Sequence, residues 1–207
     1  MSFMAFWNRR TLAILFIVFF IVFETVAYVA TTPRPVEQFF QLYVLGASHL
    51  AADYYPNDDP NIRLGVPVQW YVGVTNSMGS VQLVAIRVKL GNQTIQPPDD
   101  QNAIPSPAPL VTGFERFLQN NETWEFGFGW RILNATSSGG VTRILGLEIN
   151  NQTYPVLVDA QNGYNLRFII ELWTWSTDSN AFGFGWYAGT EHRVAWLQVW
   201  FNATATP

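Results

Sequence analysis

The chain has no cysteine among its 207 residues, a single lysine and two histidines. Without cysteine it forms no disulfide, zinc–thiolate site or iron–sulfur cluster. Only 13% of the residues are charged and the net charge is -4, so the basic surface typical of nucleic-acid-binding proteins is missing and we expect no nucleic-acid partner. Two histidines are too few for a three-histidine zinc site, and no nucleophile-elbow pattern occurs. We therefore expect a protein that is not an enzyme.

The most informative stretch is an apolar run at residues 11–30, TLAILFIVFFIVFETVAYVA, in which Glu24 is the single charged residue. Twenty helical residues span about 30 Å, the thickness of the hydrocarbon core of a bilayer. Arg9 and Arg10 lie immediately before the run, and positive charge marks the cytoplasmic side of a membrane helix. The pattern predicts a protein of the cell membrane that crosses it once.

This anchor divides the chain into three predicted segments. Residues 1–10 are expected in the cytoplasm, residues 11–32 in the membrane, and residues 33–207 outside the cell as one domain. A cleaved signal peptide is the alternative, because Thr25-Val26-Ala27 offers small residues of the kind found at cleavage sites. We favour a retained anchor because the apolar run continues past that site.

Glu24 lies about two-thirds of the way along the anchor, near the outer leaflet. A carboxylate inside a membrane span costs free energy and generally faces protein or water. We therefore expect Glu24 to contact the helix of a partner protein. The alternative is that Glu24 reaches headgroup water or is protonated, which depends on the tilt of the helix.

The segment after the anchor carries five N-glycosylation sequons, each with threonine in the third position. Sequons on the outer side of a membrane predict a glycoprotein, although Asn and Thr are also ordinary turn residues. The acceptor asparagines are Asn92, Asn121, Asn134, Asn151 and Asn202.

Short runs of β-branched and aromatic residues, bounded by Gly, Asn, Pro and Ser, fill the rest of the chain. Such runs are typical of strands, and many short strands predict an all-β fold, an antiparallel Ig-like β-sandwich. The proline-rich stretch 96–109 is predicted to be an extended, exposed loop. The predicted strands are Gln38–Leu45, Val66–Val74, Val81–Leu90, Thr123–Ile132, Thr142–Ile149, Tyr154–Val158, Asn165–Trp175, Ala181–Tyr187 and Arg193–Phe201.

The pentapeptide Phe-Gly-Phe-Gly-Trp occurs twice, at residues 126–130 and 182–186. In a strand its rings share one face and its glycines the other. The rings suit a sandwich core, in which the glycines relieve crowding. Alternatively, the glycines form a flat floor for a sugar ring, a lipid or a partner strand. Tryptophan-rich faces could likewise be core, interface or ligand platform. The candidate platform residues are Trp130, Trp173, Trp175 and Trp186.

The acidic turn at residues 53–61 is a weak calcium candidate. It offers several oxygen ligands within nine residues, which calcium favours, but it lacks the glycine and the distal glutamate of an EF-hand. Its carboxylates are Asp53, Asp58 and Asp59. We expect no other cofactor.

A series of short motifs resembles a known family. The chain has EQFFQLYVLG at 37–46, AADYYP at 51–56, LGVP at 64–67, GVTN at 73–76, and Leu118 followed by NETWE at 121–125. These resemble the EFYILG…A-x-DYP…LG-x-P…GV-x-N signature of archaeal membrane-associated ectodomains of unknown function. The resemblance covers residues 37–132 and implies an Ig-like sandwich tethered outside archaeal cells, with no catalytic residues to carry over. Where relatives often have a glycine–aspartate or glycine–glutamate turn and an asparagine–histidine–glutamate segment, this chain has Thr75-Asn76-Ser77-Met78-Gly79.

These observations favour a non-enzymatic accessory or structural subunit of a membrane complex or of the cell envelope, with other membrane or envelope proteins as partners. A carbohydrate- or ligand-binding surface module is the first alternative. The second is a filament or surface-lattice subunit, a homo-oligomer that assembles by strand addition, with the C-terminal strand 194–201 as the donor.

Overall fold

A computed structural model of the chain describes residues 9–32 and 37–204. The predicted cytoplasmic segment 1–10 lies mostly outside the described residues. The chain divides into two compact units, Met1–Val36 and Glu37–Pro207. In the first unit, α1 runs from Arg9 to Thr31 and buries none of its side chains. Its length and apolar composition are sufficient to cross a membrane.

The second unit consists of strands joined by turns, with one short 3-10 helix at Pro56–Asp58. The strands are β1 Phe39–Leu45, β2 Asn61–Arg63, β3 Val68–Ser77, β4 Gln82–Asn92, β5 Leu110–Leu118, β6 Thr123–Ser138, β7 Val141–Ile149, β8 Gln152–Gln161, β9 Leu166–Ser176, β10 Ala181–Phe184, β11 Trp186–Ala188, β12 Glu191–Arg193 and β13 Trp196–Thr204.

Two sheets form the β-sandwich. Sheet 1 has the strand order β1-β3-β6-β7-β8, and sheet 2 has the order β2-β13-β9-β4-β5 with β10 added next to β9. Strands β11 and β12 make a separate hairpin. Neighbouring strands are antiparallel apart from the short β2, which is parallel to β13. The predicted class, an antiparallel Ig-like β-sandwich preceded by an apolar helix, is confirmed.

The core between the sheets is built largely from aromatic rings. Trp70 is fully buried. Its ring centroid lies 5.2 Å from that of Trp130 and 5.6 Å from that of Phe168. Each large ring removes roughly 150–250 Å² from water, which is worth about 4–6 kcal/mol at about 25 cal/mol per Å². Such rings supply the stabilisation that disulfides give many secreted domains.

The two copies of the pentapeptide adopt different backbone structures. The first copy lies within β6, and its rings point inward as predicted. In the second copy the predicted strand ends at Gly185, whose φ of +81° separates β10 from β11. A Cβ atom on Gly185 would lie 2.1 Å from the carbonyl oxygen of Arg193, so only glycine fits there.

Two further differences concern strand boundaries and the proline-rich loop. The edge strand β5 and the short β2 were not predicted, and the predicted strand 193–201 is divided between β12 and β13. Residues 96–109 form a largely exposed loop with no strand, as predicted, but part of the loop is buried. Ser106 and Ala108 are only 3% and 4% exposed, because the loop packs on the outer face of sheet 2.

Candidate functional site

The proposed tryptophan platform is not formed. Trp130 is 2% exposed and Trp186 is 7% exposed, and both belong to the core. Trp173 and Trp175 are half-buried on the outer face of sheet 2. The guanidinium carbon of Arg87 lies 3.7 Å from the centroid of the Trp173 ring, so a cation already occupies that ring's face. Two of the four candidates are therefore core residues, as one of the alternatives expected, and the four share no exposed face.

The three calcium candidates are not gathered around one point. Asp53 accepts a hydrogen bond from the Ser48 hydroxyl at 2.6 Å. Asp59 accepts from both the backbone and side-chain amides of Asn61, and these hydrogen bonds lower the pKa of Asp59. Within residues 9–32 and 37–204, no three acidic or histidine side chains form a group that could hold a metal ion. Asp53 and Asp58 both line a hollow described below, and Asp59 does not.

The five sequon asparagines fall into two structural classes. Asn92 donates from Nδ2 to the carbonyl oxygen of Asp159 at 2.7 Å, and Asn202 donates from Nδ2 to Asn61 Oδ1 at 2.9 Å. Both amide nitrogens are therefore engaged in hydrogen bonds that hold strands or loops together. The other three acceptors are exposed: Asn121, Asn134 and Asn151.

A glycine-floored groove lies on the outer face of sheet 1. Gly129 of β6 lines it, Gly127 lies on the same face of that strand, and Gln69 of β3 lies opposite Gly129 in the strand register. A Cβ atom on Gly129 would lie 3.0 Å from Gln69 Oε1, and one on Gly127 would lie 3.2 Å from Gln69 Nε2. The two glycines therefore leave the space in which the Gln69 amide lies against the sheet.

Asn150 forms the other side of this floor. Its Nδ2 donates to the carbonyl oxygen of Gly127 at 2.9 Å, and its Oδ1 accepts from the Gly129 amide at 2.9 Å. Asn150 and Asn151 form the two-residue turn between β7 and β8, both with positive φ. In this way an asparagine side chain continues the pairing of β6 beyond the point where β7 ends.

An ion pair lies next to the amides. Arg131 of β6 and Glu148 of β7 are opposite in register, and Arg131 Nη2 donates to Glu148 Oε2 at 2.7 Å. The Arg131 Nε atom is buried and has no hydrogen-bond partner within the described residues. The Arg131 side chain as a whole is 40% exposed, so its other N–H groups are open to a ligand or water, whereas the buried Nε is not.

The groove consists of two adjoining hollows of about 600 and 420 Å³ that share Pro67, Val68 and Gln69. We call the two hollows together the amide groove. The larger hollow is also lined by Gly129, Trp130, Arg131, Glu148, Asn150 and Asn151. The smaller hollow is also lined by Ala47, Asp53, Tyr54, Tyr55, Pro56, Asn57 and Asp58.

A cluster of aromatic and charged side chains holds the loop after β1 against this face of sheet 1. His49 from the loop stacks on Tyr71 with 3.5 Å between ring centroids, and its Nδ1 lies 2.9 Å from Glu125 Oε1. The Tyr43 hydroxyl donates to Glu125 Oε2 at 3.0 Å. Burial and the neighbouring carboxylate raise the pKa of Tyr43. The ring of Tyr43 occupies the space where Gly73 has no side chain.

Sequence reasoning found only part of this site. The alternation that puts Glu125, Gly127, Gly129 and Arg131 on one face of β6 is visible in the sequence, and a glycine floor was one of its two interpretations. The amide of Gln69 could not be placed there without the register of β3 against β6.

Comparisons with known proteins give likenesses of fold at low similarity. No family model matches the chain, and no curated protein matches its sequence. A CARDB domain from Pyrococcus furiosus, solved with di-metal ions, is 9% identical over 84% of this chain and 100% of that chain, with a TM-score of 0.39. The C-terminal domain of wzt is 6% identical over 84% of each chain, with a TM-score of 0.37.

A β-glucosidase from Listeria innocua in complex with gluconolactone is 12% identical, with a TM-score of 0.35. The match covers 82% of this chain but only 17% of the β-glucosidase chain. Likenesses of this size assign no activity, and the fold class rests on the sheets described above.

Proposed function

We propose that the chain is a non-enzymatic single-pass membrane protein whose β-sandwich faces the outside of the cell. In this proposal it serves as an accessory or structural subunit of a membrane complex or of the cell envelope. The observation that carries it is α1, which has 23 residues and buries none of them within its unit. An apolar surface of that length requires lipid or other helices to cover it.

The orientation rests on the two arginines at the start of α1. Arg9 and Arg10 are followed within the helix by no further basic residue, and positive residues favour the cytoplasmic side. The expected arrangement is tested by adding protease to intact cells. Digestion of the β-sandwich with survival of α1 supports it, and protection of the sandwich until the cells are lysed contradicts it.

Glu24 supports a helical partner in the membrane. It is exposed on α1, and a carboxylate at that depth is stabilised when a polar group of another helix pairs with it. Replacing Glu24 with leucine should release the protein from its complex and leave its membrane insertion intact. Thr25→Leu, one position along the helix, is the matched control. Unchanged co-migration of the Glu24→Leu protein with its partners would contradict the contact.

A second candidate function is ligand binding, and the amide groove is the observation that favours it. The strand-addition candidate has no comparable support, because β13 already pairs with β9 and with β2. Because residues 196–201 pair with β9 and residues 202–204 with β2, donating β13 to another copy would require these pairings to open.

A further inference from the structure

We infer that the amide groove binds a neutral saccharide. The inference rests on the outward orientation of the proposed function for access to such a ligand, but the binding itself is measurable in any orientation. Of the four tryptophans considered for a platform, only Trp130 lines this groove, and its side chain is buried.

The first argument is the chemistry of the lining. Gln69 and Asn150 present planar amides that are partly used within the fold: Gln69 Nε2 donates to the Trp70 carbonyl, and Asn150 bonds the β6 backbone through both its polar atoms. Each amide keeps one N–H and a lone pair for a ligand, and Arg131 with Glu148 adds a guanidinium and a carboxylate. Neighbouring hydroxyl groups of a sugar both donate and accept, so they match such planar groups in pairs. The Arg131 side chain is 40% exposed and a guanidinium has five N–H donors, so donors other than the buried Nε are open to a hydroxyl oxygen.

The second argument is charge. Among the groove's lining residues, the carboxylates of Asp53, Asp58 and Glu148 outnumber the single guanidinium of Arg131. An anionic ligand such as a phosphate, a nucleic acid or an acidic sugar would be repelled. A neutral ligand avoids that penalty.

The third argument is shape. The groove is a pair of shallow hollows that follow the sheet surface, and each has a volume within the range of small-ligand sites. Peptide recognition generally uses deep apolar pockets for anchor side chains or an unpaired strand edge. Here the side chains on the floor are amides, and Tyr54 and Tyr55, which are half-buried against the core, line one end with the ring surface that remains open. Such rings can contact the C–H face of a sugar while polar groups bind its hydroxyls.

Asn151 matters for the design of the test. It lines the larger hollow and is a sequon acceptor, so a glycan on it would compete with an added saccharide. Thr153→Ala removes that sequon without altering the Asn150–Asn151 turn. We therefore use the full chain with Thr153→Ala in detergent micelles as the reference protein.

The experiment measures binding of short neutral oligosaccharides of glucose, mannose, galactose or N-acetylglucosamine by isothermal titration calorimetry. At least one member of this panel should bind the reference protein. Adding Gln69→Ala should weaken that binding by about 3–10-fold, which corresponds to loss of one neutral hydrogen bond. Adding Arg131→Met should weaken it by about tenfold or more, because a charged donor is lost.

Gln41→Ala provides the matched control. Gln41 is an exposed glutamine on β1 of the same sheet and does not line the groove, so its loss should leave the affinity unchanged. Thermal unfolding of each variant shows that the sandwich is intact.

Three results would overturn the inference. They are no binding by any member of the panel, equal affinity of the Gln69→Ala and reference proteins, and stronger binding of acidic oligosaccharides or of extended peptides than of the neutral panel. A sandwich found on the cytoplasmic side would refute the proposed orientation without changing these affinities, so the two failures are distinguishable.

Discussion

Replacing Lys89 with methionine should lower the free energy of unfolding of the β-sandwich by about 3–5 kcal/mol. Lys89 Nζ lies 3.0 Å from the carboxylate of Glu171, whose side chain is fully buried. The same carboxylate accepts from the Ser106 amide at 2.8 Å and from Trp173 Nε1 at 3.0 Å. Without Lys89, a buried negative charge keeps two neutral donors but loses its counter-ion.

Two further variants test the reason for this cost. Lys89→Met combined with Glu171→Gln should be less destabilised than Lys89→Met alone, because no unpaired charge remains and the amide oxygen still accepts a hydrogen bond. Arg143→Met is the surface control. Arg143 and Asp159 form an ion pair at 2.6 Å whose side chains are 49% and 44% exposed, so water screens it and we expect little change in the urea midpoint.

The assay is urea unfolding of the full chain in detergent, followed by tryptophan fluorescence. The midpoint should fall for Lys89→Met with little change in the slope of free energy against urea concentration. The Ser106 carbonyl also accepts from Lys89, so amide hydrogen exchange in residues 96–109 should become faster as well. A Lys89→Met protein as stable as Arg143→Met would refute the argument.

Three other predictions concern a turn, a tyrosine and the sequons. Gly185→Ala should destabilise the sandwich by more than about 3 kcal/mol, because backbone strain adds to the clash with the Arg193 carbonyl oxygen. The control Gly183→Ala meets no atom within 4 Å and should change the urea midpoint little. Equal midpoints of the two variants would contradict this prediction. Burial raises the pKa of Tyr55 to about 12, so its contribution to stability is present below pH 10 and lost as the pH rises towards 12. Tyr55→Phe should therefore lose less stability over that interval in urea titrations, and a parallel loss in both proteins would refute it. Where the folded domain is glycosylated, peptide mass spectrometry should find glycan on the exposed acceptors Asn121, Asn134 and Asn151. It should find none on Asn92 and Asn202, whose amide nitrogens are hydrogen-bonded; glycan on either would contradict this.

The sequence predicts the fold class well because, along each strand of a sandwich, buried apolar residues alternate with outward-facing ones, and this alternation is visible in the sequence. In β6 the rings at even positions point inward and the polar or glycine residues outward, as the sequence predicts. The boundaries are less well predicted where backbone geometry overrides composition. Gly185 occupies the position in the second copy of the pentapeptide that Gly129 occupies in the first. Its positive φ nevertheless ends a strand.

The candidate site is harder to predict because it depends on pairing between distant segments. The sequence does not distinguish the buried Trp130 from the half-buried Trp175, because both tryptophans lie in strands rich in aromatic residues. The amide groove joins Gln69 to Asn150 only through the neighbouring positions of β3, β6 and β7 in sheet 1. Neither residue type signals a site by itself.

The central claim, that this is a membrane-anchored subunit of a larger assembly, is tested most directly on native membranes. The membranes are extracted in mild detergent, the assemblies are separated by size, and mass spectrometry identifies what co-migrates with the chain. The account predicts that peptides from α1 and from the sandwich are found together, at a fixed ratio to another membrane or envelope protein. A chain that migrates alone, or one that lacks α1, would contradict it.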